Sequence, residues 1–190
     1  VTRLDLGGGL GAIYDDKGEG PDLVAYGQMV REIIGPLGVK IEIEPGRLIC
    51  ANAGVLLARA LVTKENGGRE FVVIDAAMND LLRPAFYDAY HQILAVKEPP
   101  IGANQMPITV VGPICETGDT FTVDRPMAKV NPDDLLAFMS AGAYGFAMAS
   151  TYNSRPLAAE VMVSGDKWQV VRARQSYEDM WQGEVIPDWG

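Results

Sequence analysis

Lys40-Ile41-Glu42-Ile43-Glu44-Pro45-Gly46-Arg47 is the stretch from which the fold of the first part of the chain can be read. Ile41 and Ile43 alternate with charged residues, the period of a half-buried strand, and Pro45-Gly46 ends the run. Upstream, Leu23, Val24, Gly27, Val30, Ile33, Ile34 and Leu37 recur near helical spacing between Gly20-Pro21 and the punctuation of Gly35-Pro36 and Gly38. Earlier still, Val1, Leu4 and Leu6 form a short strand-like run that Gly7-Gly8-Gly9 stops at once. Strand, amphipathic helix and strand in that order predict a parallel pair. Parallel neighbours end on one rim, so the glycine loop and Glu44-Pro45-Gly46-Arg47 are expected side by side.

Beyond about Gly54 the pattern changes to hairpins. Val55 to Lys64 and Glu70 to Asp75 flank the turn-forming Glu65-Asn66-Gly67-Gly68, and Glu160 to Val163 and Trp168 to Arg172 flank Ser164-Gly165-Asp166. Ile108 to Val111 and Thr120 to Val123 flank a Pro-Ile-Cys-Glu-Thr-Gly-Asp segment. An antiparallel sheet is expected, with one helix over Asp133 to Met139 that takes Asn131 as cap and Pro132 at its first position. There is no internal repeat and no low-complexity segment.

Composition narrows the function classes. The 190 residues are 48% hydrophobic, enough for a real core, and carry a net charge of −9 without a basic cluster, which argues against nucleic acid as a partner. Cys50 and Cys115 are the only cysteines, too few for a disulfide framework and without zinc-site spacing, so a reducing, cytoplasmic setting is expected. The longest apolar run, Ala141 to Ala149, is short and interrupted by glycine, so no membrane span is expected. The chain opens at Val1 in strand-like sequence and is expected to be a fragment.

Five motifs carry chemistry, each with a plain alternative. Gly7-Gly8-Gly9 after a strand lets backbone N–H groups converge on an anion, or is simply a turn. Glu44-Pro45-Gly46-Arg47 offers a carboxylate, N–H groups and a guanidinium, or is a solvated corner. Asn79-Asp80-Leu81-Leu82-Arg83-Pro84 with Tyr87 sets a guanidinium and a phenol four residues apart, suited to a carboxylate, although an Arg before Pro commonly just ends an element. Cys115-Glu116-Thr117-Gly118-Asp119 offers a thiol beside a carboxylate in a loop, whereas Cys50 reads as a small buried hydrophobe. Ala141-Gly142-Ala143-Tyr144-Gly145 exposes a tyrosine between glycines, either as a donor to phosphate or as a structural residue. His91, the single histidine, reads as structural, without a neighbouring metal-ligand partner.

In order and spacing the five motifs resemble the diaminopimelate decarboxylases, over about Asp5 to Glu178, with Tyr152-Asn153-Ser154-Arg155-Pro156 and Tyr177-Glu178-Asp179 adding to the likeness. The resemblance implies late strands of an incomplete alanine-racemase-like (β/α)8 barrel over residues 1–54, holding pyridoxal 5'-phosphate, followed by an antiparallel β domain over residues 55–190. It implies phosphate contacts from Gly7, Gly8, Gly9, Gly46, Arg47 and Tyr144, and pairing of Glu44 with the pyridine nitrogen. Arg47, Arg83, Tyr87 and Tyr144 would meet substrate, Glu116 would read its distal amino group, and Cys115 would be the proton donor. The product would be L-lysine, formed by a homodimer whose subunits exchange the Cys-Glu loop. Missing upstream would be the early barrel strands, a ring-stacking histidine and the lysine that tethers the cofactor, a role not transferred to Lys40 or Lys64. Ala77 stands where these enzymes commonly show glycine. The rival readings are an ornithine, lysine or arginine decarboxylase of the same fold, disfavoured by Glu116, and a noncatalytic binding or dimerisation module.

Overall fold

The computed structural model describes residues 1–15 and 18–189. The loop expected after Gly9 therefore includes two positions, 16 and 17, outside the described residues. Strands β1 (Arg3–Asp5) and β2 (Lys40–Glu42) pair in parallel, with Leu4 opposite Ile41, as the alternating pattern predicts. Between them runs α1 (Leu23–Ile34), started by Asp22, whose carboxylate accepts from the N–H groups of Val24 and Ala25 at 3.0 and 2.9 Å. None of its residues is fully buried, and Tyr26, Val30 and Ile34 on one face are half-buried.

A short helix α2 (Gly46–Cys50) leads into a six-stranded sheet in the order β5-β8-β3-β4-β6-β7. Its strands are β3 (Leu56–Asn66), β4 (Arg69–Ile74), β5 (Ile93–Ala95), β6 (Gln105–Val111), β7 (Thr120–Ala128) and β8 (Leu135–Phe138). The β3–β4 and β6–β7 hairpins form where the turn residues place them. Pairing is antiparallel at every junction except β4–β6, which is parallel and makes the sheet mixed. The chain between those two strands is long enough for the crossover that parallel neighbours require, and it carries α3 (Arg83–Tyr87) and β5 on the way. A separate ribbon, β9 (Glu160–Ser164) with β10 (Lys167–Arg172), follows, and then α4 (Tyr177–Trp181), closed by a capping box between Ser176 and Asp179.

Two expectations fail here. The segment from Asp133 to Met139 is not a helix: its Leu135–Phe138 part is strand β8, which lies between β3 and β5. The Asp134 carboxylate accepts from the Asn131 N–H at 2.8 Å, and Asp133 takes a φ of +71°, so a closed turn replaces the first helical turn. Leu136 and Phe138 then alternate inward, both fully buried. Cys50 is exposed rather than buried, at the end of a five-residue helix with no buried residue among those described.

The core is the inner face of the sheet, built on Ile74, Ile108, Val110, Leu136 and Phe138, with Phe121 packed against Phe138 at a ring separation of 4.9 Å. The turn after α2 is bound to the 140–142 segment: Gly142 donates to the Ala51 carbonyl at 3.0 Å and Ala141 to that of Gly54 at 2.8 Å. A Cβ on Gly142 would overlap the Cys50 carbonyl oxygen. Gly142→Ala is therefore expected to destabilise the full-length protein by about 1–3 kcal/mol, since backbone atoms must move apart. Urea denaturation checks this, and an unchanged midpoint would mean that the segment is free to shift.

Candidate functional site

The ends of β1 and β2 bring the first two motifs together. Leu6 donates to the Glu42 carbonyl at 2.9 Å and Glu44 to the Gly7 carbonyl at 2.8 Å, so the glycine loop and Glu44-Pro45-Gly46-Arg47 lie side by side as expected. Gly8 must be glycine, since a Cβ would stand 2.6 Å from the Glu44 carbonyl oxygen. Gly7 and Gly9 have φ of +70° and +89° and face open space. Glu44 is exposed. The Gly46 N–H turns back onto the Glu44 carbonyl at 2.8 Å, which leaves the Arg47 side chain as this loop's polar arm toward the cavity beyond.

That cavity, of about 490 Å³, is lined by Tyr14, Arg47, Arg83, Tyr87, Ala89, Tyr90 and Tyr144. Three of the five motifs thus contribute side chains to one space. Arg83 begins α3 and is 7% exposed, far more buried than an arginine that merely ends an element. Its Nη1 donates to His91 Nε2 at 3.0 Å, and its guanidinium lies 4.9 Å from the centre of the Tyr14 ring. Tyr144 is held at a φ of +59°, a conformation that a non-glycine residue adopts only under constraint, which aims it from its glycine-flanked turn. Tyr87 is exposed at the end of α3 and stacks edge-on with Phe86.

Tyr14 and His91 were not singled out as site residues by sequence. Tyr14 stands five residues after Gly9, with no motif around it, and its hydroxyl is buried without a hydrogen-bond partner among the described residues. His91 is 2% exposed, its ring edge-on to Tyr14 at 5.6 Å and its Nδ1 within 2.8 Å of the Met139 carbonyl. Burial, opposed by the Met139 carbonyl and reinforced by the Arg83 and Arg125 charges, holds its pKa below the usual histidine value.

The Cys-Glu loop does not line this cavity. Cys115 and Glu116 are both exposed. Glu116 accepts from the Gly118 N–H at 3.2 Å and from the Tyr152 hydroxyl at 3.0 Å, and these two bonds keep its carboxyl below the usual carboxylate range. The loop is clamped from behind by Asp119, 3% exposed, which accepts from the N–H groups of Met78 at 2.7 Å and Ile114 at 3.0 Å. Gly112 has no room for a Cβ against that carboxylate. Asn79, at the head of the arginine motif, donates to the Ser150 carbonyl at 3.2 Å and accepts from Arg155 Nε at 3.0 Å. The motif's first residue is thus a brace between loops.

Residues 12–142 match the model of the pyridoxal-dependent decarboxylase C-terminal sheet domain. The chain belongs to this family. It is 52% identical to a diaminopimelate decarboxylase of Zymomonas mobilis, over all of this chain and 44% of that protein. It is 50% identical to one of Neisseria meningitidis, over 97% of this chain and 45% of that protein. The crystal structure of the Helicobacter pylori diaminopimelate decarboxylase complexed with L-lysine superposes with a TM-score of 0.86 at 40% identity, covering 95% of this chain and 44% of that one. The chain thus spans less than half the length of the relatives it matches. No helix among the described residues is long and apolar enough to cross a membrane.

The double acceptor role of Asp119 gives a direct expectation. Asp119→Ala should leave two N–H groups without acceptors, cost on the order of 2–4 kcal/mol in the full-length protein, and release the Cys-Glu loop. Denaturant midpoints together with proteolysis at Gly118 would check it, and an unchanged midpoint with intact protection would show that the loop is held by other contacts.

Proposed function

We propose that this chain is the C-terminal part of a pyridoxal-phosphate-dependent enzyme that decarboxylates meso-2,6-diaminopimelate to L-lysine, the last step of lysine biosynthesis. The observation that carries the reading is the cavity in which Arg47, Arg83, Tyr87 and Tyr144 converge while the Tyr14 hydroxyl lacks a partner. Residues 1–54 are assigned to an incomplete cofactor-binding barrel and residues 55–190 to the β domain that completes its site. The division falls where the parallel β1–β2 pair gives way to β3.

The residues present suit the cofactor. Gly7 and Gly9 are open where side chains would stand, and a phosphate can approach their backbone as no bulkier residue would allow. Gly8 and Gly46 keep the two loops in contact beneath it. Arg47 and Tyr144 supply donors, and Glu44 offers a carboxylate to keep a ring nitrogen protonated. When bound, pyridoxal phosphate supplies the electron sink for loss of carbon dioxide.

The chain's own residues do the recognition and the proton transfer. Arg83 and Tyr87, one turn of α3 apart, bind a substrate carboxylate, with Arg47 and Tyr144 beside them. Cys115 delivers a proton from Sγ to the carbon that has lost carbon dioxide. Glu116, kept ionised by Gly118 and Tyr152, reads the distal ammonium group. Because the Cys-Glu loop is exposed and outside its own chain's cavity, it is assigned to the site of a second subunit, which makes the enzyme a homodimer.

With the full-length protein and pyridoxal phosphate, lysine should form from meso-diaminopimelate in preference to any product from ornithine or arginine. Cys115→Ala should lower kcat by roughly 10²–10⁴ with cofactor absorbance retained. Glu116→Asp should erode the preference for diaminopimelate. Faster turnover of ornithine than of diaminopimelate would reject the substrate, and an unaltered rate in Cys115→Ala would reject the proton donor.

A further inference from the structure

Arg83 is a buried cation for which no carboxylate partner stands among the described residues. What holds its guanidinium is unusual for arginine: one imidazole nitrogen and one aromatic face. The donor inventory fixes the protonation pattern of that imidazole. A guanidinium can only donate, so His91 Nε2 must present its lone pair to Arg83 Nη1. The ring proton then sits on Nδ1, and the Met139 carbonyl, 2.8 Å away, is placed to accept it. The two contacts demand the same tautomer. Tyr14 closes the arrangement, its ring edge-on to His91 and its face beneath the guanidinium carbon.

We infer that His91 is a positioning residue for the anion site of this cavity, its Nδ1-protonated ring anchored on Met139 so that Nε2 aims the Arg83 guanidinium at the substrate carboxylate. This rests on the reading that Arg83 binds that carboxylate. His91 occupies Nη1 alone, and the remaining N–H groups of the fork stay available for an incoming anion.

The arrangement is also sensitive to acid. The groups that face His91 are Arg83 from α3, Tyr14 from the loop before α1, Arg125 from β7, which donates to the His91 carbonyl, and the Met139 carbonyl. Tyr90, the preceding residue, lies against Arg125 with its ring 4.4 Å from that guanidinium carbon. No carboxylate among the described residues pairs with the ring, and burial with the two arginines disfavours its protonation. An imidazolium would replace the Nε2 acceptor with an N–H directed at a guanidinium. The neutral ring is therefore kept at neutral pH, and the anchor is lost as pH falls below the ordinary histidine range and through the lowered pKa.

The test uses the full-length enzyme loaded with pyridoxal phosphate, with L-lysine affinity measured by calorimetry and KM and kcat measured with diaminopimelate, both across pH 5–8.5. His91→Phe should raise the L-lysine Kd and the KM by about tenfold at the alkaline end, the loss of one hydrogen bond to a charged group, with kcat changed less. His91→Gln, whose amide oxygen can accept from Arg83, should recover most of that loss and remove the rise in Kd that the unsubstituted enzyme shows toward low pH. A Kd within twofold of the unsubstituted protein in His91→Phe, or equal losses in the two variants, would overturn the inference. So would an acid-side rise in Kd that persists in His91→Gln, and this last criterion decides alone if His91→Phe does not fold. Arg83→Lys separates the two levels: a raised Kd there with an unaffected His91→Phe removes the role of His91 only, whereas an unaffected Kd in Arg83→Lys removes the carboxylate reading as well.

Discussion

Burying a guanidinium without a counter-ion costs several kcal/mol even after relaxation, and Arg83 is 7% exposed with its head held by the neutral His91 and Tyr14 rings. The surroundings of this one side chain explain a good deal of the local architecture. Pro84 follows it in the first turn of α3, which restrains the backbone from which it projects. His91 reaches it from the segment leading into β5, and that ring is in turn tied to the carbonyl of Met139, immediately after β8. Two neighbouring strands are thereby committed to holding one cation. Tyr14 arrives from the other part of the chain, so the parallel β1–β2 unit and the mixed sheet meet at the same charge. The adjoining turn of Asn52 makes a further link, its amide donating to the Ile13 carbonyl at 2.6 Å and to Ser140 Oγ at 2.7 Å.

Much of this was legible in the sequence because it is local. Alternation at Ile41 and Ile43, the glycine turns and Asp22 ahead of an apolar helical stripe all act within a few residues, and the β1–α1–β2 unit and the hairpins appear where they point. Leu135 to Phe138 was misread for an equally physical reason. Asn-Pro-Asp-Asp carries helix-start chemistry, but the Asp134 side chain spent it on closing a turn, and a four-residue strand shows too little alternation to announce itself. The parallel β4–β6 junction was invisible because it depends on where a long crossover returns. Tyr14 and His91 belong to the same class: each is an isolated aromatic residue whose meaning comes from Arg83, and contacts across 69 and 8 positions leave no spacing to recognise. The motif residues fared better, since Arg47, Arg83, Tyr87 and Tyr144 do line one cavity, although the Gly46 N–H is committed to Glu44.

The polar residues of the Cys-Glu loop follow a different logic from those of the cavity. Asp119 is buried and its carboxyl is raised by desolvation against two backbone N–H bonds that work to lower it, a balance that makes it a structural clamp. Glu116, three residues earlier, is exposed and lowered by its two donors, which keeps it charged and outward. One acid is held in so that the other can be held out. Asn79 and Arg155 stiffen the base of the same region, with Arg155 also reaching the Asp75 carbonyl and lying 3.7 Å from Asp80.

Keeping that loop away from the cavity of its own chain has an electrostatic consequence. The chain carries 25 acidic residues against 16 basic ones, so the site proposed to attract a carboxylate stands against the average charge of the molecule. Arg83 can serve as an anion receptor only while no carboxylate of its own chain reaches it, because an internal ion pair in a desolvated pocket would compete with any ligand. A histidine and a tyrosine hold the guanidinium in place without neutralising it, which an aspartate or glutamate in either position could not do. The role proposed for Glu116, by contrast, calls for an acid, and Glu116 stands on a separate, outward-facing loop. In the proposed reading, the end of the substrate that bears both a carboxylate and an ammonium group would bring the two halves of recognition together, with neither charge of the protein cancelling the other beforehand.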